Sequence, residues 1–276
     1  MAADVTLTGA MQSNLYALQN TNKLLELTQS RLATGRKVQS ALDDPIAFFA
    51  SNEHSRRASD LAGRKDSMGE AVQAVKAASA GIEAITDLIN AAKSLAQSAV
   101  SSSTSADQAS LMSQFQTTVD KMYDIAEDSG YKGDNLMDGS SITIKFNDDG
   151  SNTLAVTGFD ADDTSSGLKI TTTVAAWTTA HTGGASMDSD IAELDSAISI
   201  LRTEESKLSN NLSIITTRQD FTDNMMNVLQ TGAANLVNAD MNAEGANMLM
   251  LQTRQALGTT SLSIASQGAQ AVLRLF

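Results

Sequence analysis

The residues that could carry out chemistry are few and widely spaced in this sequence. His54 and His181 lie far apart and outside any HExxH or similar ligand spacing, so both are expected to be solvated surface residues. Asp160, Asp162 and Asp163 resemble a calcium cluster but lack the glycine and glutamate positions of an EF-hand loop, which favours a solvated turn. No GxSxG, GxGxxG or GxxxxGK motif occurs. We therefore expect no enzyme activity, no cofactor and no metal.

Cysteine content and charge narrow the classes of partner. The sequence has no cysteine and a net charge of −13. It therefore has no disulfide framework or thiol nucleophile, and an acidic surface disfavours nucleic acid and anionic membranes. Residues 1–40 carry four basic and two acidic side chains, and residues 240–276 carry two of each. Nearly neutral ends and an acidic middle predict ends that are buried and a middle that faces water.

The sequence does not contain the usual signals for membrane insertion or secretion. Residues 1–15 have no basic patch followed by an apolar run, as a Sec-type signal peptide would. No run of about 18 apolar residues is present, and the uncharged residues 255–273 contain many serines, threonines and glutamines. We expect no membrane partner, and any export must use a route without an ordinary leader.

The composition predicts long helices, because only 4% of residues are aromatic and Pro45 is the single proline. A first helix is predicted from about Gln12 to Ala33, with Gly35 as its stop. A second is predicted from Pro45 to about residue 100. Ser105 and Gln108 then match a capping box for a third helix.

Between residues 130 and 187 the pattern becomes typical of strands. Residues 142–146 alternate, residues 147–150 (NDDG) form a turn sequence, and residues 154–157 and 168–174 are further short strands. We expect a small β-rich patch at about 138–187, too short to be an independent domain. Its serines and threonines are either sites for O-linked glycans or unmodified strand edges.

Two long apolar stripes predict coiled-coil packing. From Ile191 to Leu236, fourteen positions alternate in steps of three and four, and eleven of them are apolar. This seam of about six heptads spans roughly 70 Å. A second stripe runs from Met248 to Phe276, and a matching one lies near the N-terminus. The predicted fold is mainly α: long antiparallel helices form a coiled-coil bundle with paired N- and C-terminal helices, plus a small β-hairpin patch.

Several segments at both ends resemble bacterial flagellins. At the N-terminal end they are residues 13–21 (SNLYALQNT), 28–38 (TQSRLATGRKV) and 40–45 (SALDDP). At the C-terminal end they are residues 239–241, Glu244, 252–257 (QTRQAL), 262–265 (LSIA) and 272–275 (VLRL). Two independent matches, in the right order and at the right distances from both ends, make the resemblance specific.

The resemblance implies a structural subunit that is exported and polymerises through its terminal helices into the extracellular flagellar filament for swimming motility. Residues 1–40 and 240–276 would form an inner coiled coil, and residues 41–239 an outer helical bundle. The small middle region implies a minimal flagellin without large outer domains. The implied partners are further copies of itself in a helical homopolymer, the flagellar cap, the junction proteins and an export chaperone, with type III export.

The stripe positions of the terminal helices form the polymerisation interface implied by this resemblance. These positions are Leu15, Leu18, Leu25, Leu32, Met248, Leu251, Leu262, Ala265, Ala269, Val272 and Phe276. Gly245, Gly258 and Gly268 lie within the last predicted helix, where each costs up to ~1 kcal/mol. They are expected to allow close helix approach, with packing shifts between supercoil forms as the alternative.

One position departs from the family pattern. Flagellins detected by the innate immune receptor of vertebrates carry an arginine and a glutamate just before a Leu-Ala pair. Before Leu95 and Ala96 this chain has Ala91 and Ser94 at the positions we align with those charges. The resemblance therefore implies weak or absent recognition by that receptor.

Two alternative functions remain at the level of sequence. A hook–filament junction protein shares the flagellin ends and would differ in copy number. A helical signalling module of the chemoreceptor type would share the long seam, but it needs a membrane anchor or a partner-binding hairpin tip, and neither is apparent.

Overall fold

The computed structural model describes residues 9–162, 167–170 and 184–273. In chain order the elements are α1 Gly9–Thr34, α2 Pro45–Ser101, α3 Ser105–Asp128, β1 Ser141–Lys145, β2 Thr153–Thr157, α4 Gly184–Val237 and α5 Met241–Leu273. The predicted class, long helices with a small β-hairpin, is confirmed. The chain forms two compact units, one from residues 1–56 with 228–276 and the other from residues 57–227.

The link between α1 and α2 follows local capping rules. Gly35 has φ +70°, and its N–H donates to the carbonyl of Arg31 at 2.8 Å, which ends α1. Asp44 then accepts a hydrogen bond from the N–H of Ala47 at 3.0 Å, and Pro45 is the first residue of α2. The predicted stop and restart are therefore correct, although α1 begins at Gly9 rather than near Gln12.

The core of residues 57–227 is built from buried positions at three-and-four spacing. On α2 they are Met68, Ala71, Val75, Ala78, Ile82, Ile85, Ile89, Ala92, Ala96 and Ala99. On α3 they are Met112, Phe115, Val119, Met122 and Ala126, and on α4 Leu194, Leu201, Leu208, Ile215 and Thr222 recur every seven residues. Many of the α2 positions are alanine, which lets backbones approach closely. The predicted seam position Glu205 is exposed.

The start of α3 differs from the prediction by one residue. Thr104, with φ −114° and ψ 136°, is the N-cap, and its hydroxyl accepts a hydrogen bond from the N–H of Asp107. The predicted capping box of Ser105 and Gln108 is wrong. Gln108 instead donates from its side chain to the carbonyls of Ala99 and Ser102 at the end of α2.

The two strands form an antiparallel hairpin with Ser141 paired to Thr157 and Lys145 to Thr153. Asn147 and Gly150 close the predicted turn, with Gly150 at φ +72°. The expected third strand at 168–174 is wrong for its described part, since residues 168–170 are not a strand and Lys169 has φ +55°. Its remainder, residues 171–174, lies outside the described residues.

Among the residues that the structure describes, no helix is long and apolar enough to cross a membrane.

Candidate functional site

The two terminal helices, α1 and α5, pack against each other in antiparallel orientation. Among the described residues, three side-chain hydrogen bonds join them: Asn14 to Ser261 at 3.0 Å, Gln255 to Asn22 at 2.9 Å, and Arg31 to Glu244 at 3.1 Å. Residue numbers rise along α1 as they fall along α5, which fixes both the direction and the register. In this register Leu25 is level with Leu251.

The expected interface residues follow the facing sides of these helices. Leu15, Leu18, Leu25 and Leu32 are half-buried on α1, and on α5 Leu251 is buried while Met248, Leu262, Ala265 and Ala269 are half-buried. Val272 belongs to α5, but its side chain is outside the described part, as is the whole of Phe276. A Cβ added to Gly258 would lie 2.7 Å from Cδ1 of Leu18, so this glycine permits close approach. Gly245 and Gly268 face open space.

Sequence reasoning missed four residues of this contact. Met11, Thr28 and Glu244 are buried, and Arg31 forms the ion pair. Met11 lies seven residues before Leu18, and Thr28 falls between the predicted leucines at three-and-four spacing, so periodicity alone contains both signals. The predicted stripe of α1 consists of leucines alone, so it contains neither Met11 nor Thr28.

The ion pair of Arg31 and Glu244 joins residues 213 positions apart. Nη1 of Arg31 lies 3.1 Å from Oε1 of Glu244, and the Glu244 side chain is only 11% exposed. Nε of Arg31 is buried and has no hydrogen-bond partner among the described residues. Glu244 lies in the first turn of α5, where the helix dipole favours a negative charge. A buried carboxylate needs such partners, and this pair lies in the first turn of α5, where that helix begins to pack against α1.

The links that follow α1 and precede α5 are also hydrogen-bonded to each other. The backbone N–H groups of Lys37 and Val38 donate to the carbonyl of Val237, at 2.7 and 3.3 Å. The N–H of Ala239 donates to the carbonyl of Gly35 at 2.9 Å. The end of α1 and the start of α5 therefore lie at a shared backbone junction.

Asp43 organises the link after α1. Its Oδ2 accepts from the backbone N–H groups of Gln39 and Ser40, at 3.0 and 2.9 Å. These two bonds, then the Ser40 hydroxyl and the charge of Arg31, hold the pKa of the Asp43 carboxyl below its ordinary value.

The other residues singled out from the sequence are not brought to this site. Ala91 and Ser94 are exposed on α2, and the Ser94 hydroxyl donates to the carbonyl of Asn90. Within the described residues, no group of three or more His, Asp or Glu side chains is arranged to hold a metal ion. His181 and Asp163 lie outside those residues.

Known proteins similar to this chain are flagellins. The bacterial flagellin N-terminal helical region matches residues 6–142, and the C-terminal helical region matches residues 191–276. Flagellin FljM of Caulobacter vibrioides is 33% identical over 270 residues, which cover 95% of each chain. A flagellin of Brucella melitensis biotype 1 is 28% identical over 285 residues, covering 100% of this chain and 99% of that protein. A crystal structure of Bacillus cereus flagellin covers 56% of this chain and 88% of that chain, with 18% identity and a TM-score of 0.47.

Nothing in the sequence, the structure or these similarities favours the junction-protein alternative. The matched regions at both ends contain the paired helices α1 and α5. This chain belongs to the bacterial flagellin family and is a structural subunit of the flagellar filament.

Proposed function

We propose that this flagellin polymerises through its terminal helices. Residues 1–40 and 240–276 form the inner coiled coil of the filament, and residues 41–239 form its outer bundle. The long apolar stripes, the near-neutral ends and the acidic middle of the sequence support this arrangement.

One observation carries the proposal: the α1–α5 pair buries much less of its apolar stripe than a stable core does. On α1 only Met11 and Thr28 are buried among the described side chains, and on α5 only Glu244 and Leu251 are. The α2 helix alone buries ten apolar side chains at matching spacing between Met68 and Ala99. Half-buried leucines contribute little hydrophobic free energy. By themselves, they therefore offset little of the conformational entropy that the two helices lose when they become ordered. Packing against further copies supplies the missing burial, so assembly and ordering of the ends are coupled.

We propose the remaining parts of the function on the support of the similarity to this family. The chain is secreted through the flagellar type III apparatus and works as an extracellular filament. Its partners are other copies of itself, the flagellar cap, the junction proteins and an export chaperone. It binds no nucleic acid, membrane or cofactor, and it has no catalytic role.

Electron microscopy of seeded polymerisation tests the role of the ends. The full-length chain should elongate preformed filament seeds, and chains lacking residues 1–40 or 240–276 should not. Circular dichroism provides the control. Residues 57–227 should stay folded after either deletion, so each truncated chain should still show a cooperative thermal unfolding transition. Elongation by the truncated chains would contradict the proposal. Short caps that never elongate would indicate a junction protein.

We also propose weak recognition by the innate immune receptor, because Ala91 and Ser94 place two small, uncharged side chains on the exposed face of α2. Purified monomer should give a small response in receptor-reporter cells, compared with a flagellin that carries arginine and glutamate at these positions. A full-strength response from this chain would refute the proposal.

A further inference from the structure

The α5 helix has a second row of side chains that does not face α1. Met250, Leu257 and Ile264 lie seven residues apart, and their exposed fractions are 46%, 65% and 65%. With Arg254, four residues after Met250 and three before Leu257, they form what we call the α5 outer stripe. Met250, Leu257 and Ile264 each precede a residue of the α1-facing side by one position, so the stripe lies about 100° around the helix from that side.

The α1 helix also has an apolar surface turned away from its partner. Tyr16, Leu24 and Leu27 are 59%, 49% and 42% exposed, and the exposed Asn20 lies between them. At about 100° per residue, these four side chains share the side of α1 opposite its α5-facing leucines. We call them the α1 outer face. Side chains of this size left exposed in rows mark interaction surfaces.

We propose that the α5 outer stripe of one copy packs on the α1 outer face of the next copy in the filament. This contact rests on the proposed polymerisation through terminal helices and names the surfaces that carry it. It also extends the α1–α5 pairing: each helix would then pack against one α-helix of its own chain and one of a neighbour.

Symmetry decides between this pairing and its alternatives. If the α5 outer stripe packed on the same stripe of a second copy, the interface would be isologous and would close a dimer. A filament that grows without limit needs a heterologous contact between two different surfaces. The two outer surfaces of this helix pair satisfy that requirement, since one belongs to α5 and the other to α1.

The lengths of the two surfaces are compatible. The α5 outer stripe spans fourteen residue steps and the α1 outer face eleven, or about 21 and 17 Å along the helices.

Crosslinking between single-cysteine variants tests the contact directly. The natural sequence has no cysteine, so Leu257→Cys and Leu27→Cys each introduce one thiol, and any crosslink must join two copies. The variants are mixed, polymerised on wild-type seeds and treated with a short bismaleimide. After dissociation, a species of twice the chain mass is expected from the mixture. Little or none is expected from either variant alone.

Leu249→Cys is the matched control for Leu257→Cys. It is the same residue type on the same helix, with 68% exposure, but it lies outside the stripe. Its mixture with Leu27→Cys should give no crosslink. Crosslinks from Leu257→Cys alone would indicate an isologous contact and overturn the proposal. Filaments that form from the mixture without crosslinking would overturn it too and leave polymerisation by the ends intact. Failure of the wild-type chain to elongate seeds would instead count against the proposed function.

A second measurement uses the critical concentration for elongation. Glutamine favours a helix, so Leu257→Gln and Ile264→Gln should leave α5 helical while they remove apolar surface. Each should raise the critical concentration by about tenfold. Leu249→Gln should change it much less. Unchanged critical concentrations for both stripe variants would refute the contact.

Discussion

At the scale of single residues, Gly158 leaves the least room for a side chain beside the backbone of other residues. Its N–H donates to the carbonyl of Ser140 at 2.9 Å. A Cβ at this position would lie 2.2 Å from the oxygen of Leu136 and 2.4 Å from that of Ser140. Backbone oxygens cannot rotate away as side chains do. The end of the hairpin at Gly158 would therefore have to move away from residues 136–140, which precede β1. We expect Gly158→Ala to lower the free energy of unfolding by about 1–3 kcal/mol, measured by urea denaturation of the full-length monomer.

Gly258→Ala is the comparison for that substitution. The nearest atom to its added Cβ is Cδ1 of Leu18, at 2.7 Å, which is the end of a flexible side chain. Rotation of Leu18 relieves the clash, and alanine favours the helix by up to ~1 kcal/mol. Filaments of this variant should dissociate on heating within a few degrees of wild type. Failure to assemble would show that Leu18 has no room to move.

Asp43 gives a pH dependence at the same scale. The N–H groups of Gln39 and Ser40 depress its pKa below the ordinary value of 3.8. Because the folded pKa is the lower one, the carboxylate stabilises the link above pH 3.8, and this stabilisation is lost as the pH falls through the folded pKa. The amide proton shifts of Gln39 and Ser40 should therefore titrate with a midpoint below 3.8. Asp43→Asn should abolish the transition, and a midpoint at or above 3.8 would contradict the assignment.

At the scale of elements, the cap of α3 provides a comparison between adjacent hydroxyls. Thr104 accepts from the N–H of Asp107 at 3.2 Å, whereas the Ser105 hydroxyl has no hydrogen bond among the described residues. Thr104→Ala should lower the free energy of unfolding by about 1 kcal/mol. Ser105→Ala should leave it nearly unchanged, because serine and alanine differ little on an exposed first turn. Equal losses in thermal unfolding would mean that the cap is shared.

The same cap illustrates what the sequence could and could not predict. Apolar spacing predicted the long helices and their buried faces, because a 3.6-residue period determines which side chains share a face. The capping-box pattern selected Ser105 rather than Thr104. Both hydroxyls suit a cap, and the correct choice depends on where the backbone leaves helical dihedrals. The apolar residues Leu168 and Ile170, two positions apart, led to the prediction of a strand. They are buried, but Lys169 between them adopts φ +55°, which no strand allows.

The contact between α1 and α5 could likewise be predicted only in part. Steps of three and four in both stripes selected leucines of α1 that are half-buried in the structure. This periodicity did not identify the pair of Arg31 and Glu244, which depends on the register between segments 213 residues apart. Periodicity also did not identify the α5 outer stripe. Its apolar residues directly precede those of the α1-facing side, so the sequence alone does not separate the two rows.

At the scale of the whole molecule, charge is segregated from the terminal helices. The excess negative charge of the chain falls within residues 41–239, because the ends are nearly neutral. Ion pairs such as Lys65 with Asp223, at 2.7 Å, link helices within residues 57–227. Such exposed pairs contribute little each and leave most acidic groups uncompensated. Copies brought side by side in a filament therefore repel one another through their middle segments.

That repulsion predicts how salt affects assembly. Raising the ionic strength from about 0.01 to 0.15 M shortens the screening length from about 30 to about 8 Å. Repulsion between acidic segments should weaken, so the critical concentration for seeded elongation should fall. Leu257→Gln should raise the critical concentration at both ionic strengths, because burial of apolar surface is not screened. Pelleting assays across a salt series measure both effects. A critical concentration that rises with salt would mean that attraction between opposite charges, rather than apolar contact between the terminal helices, dominates the binding of one copy to the next.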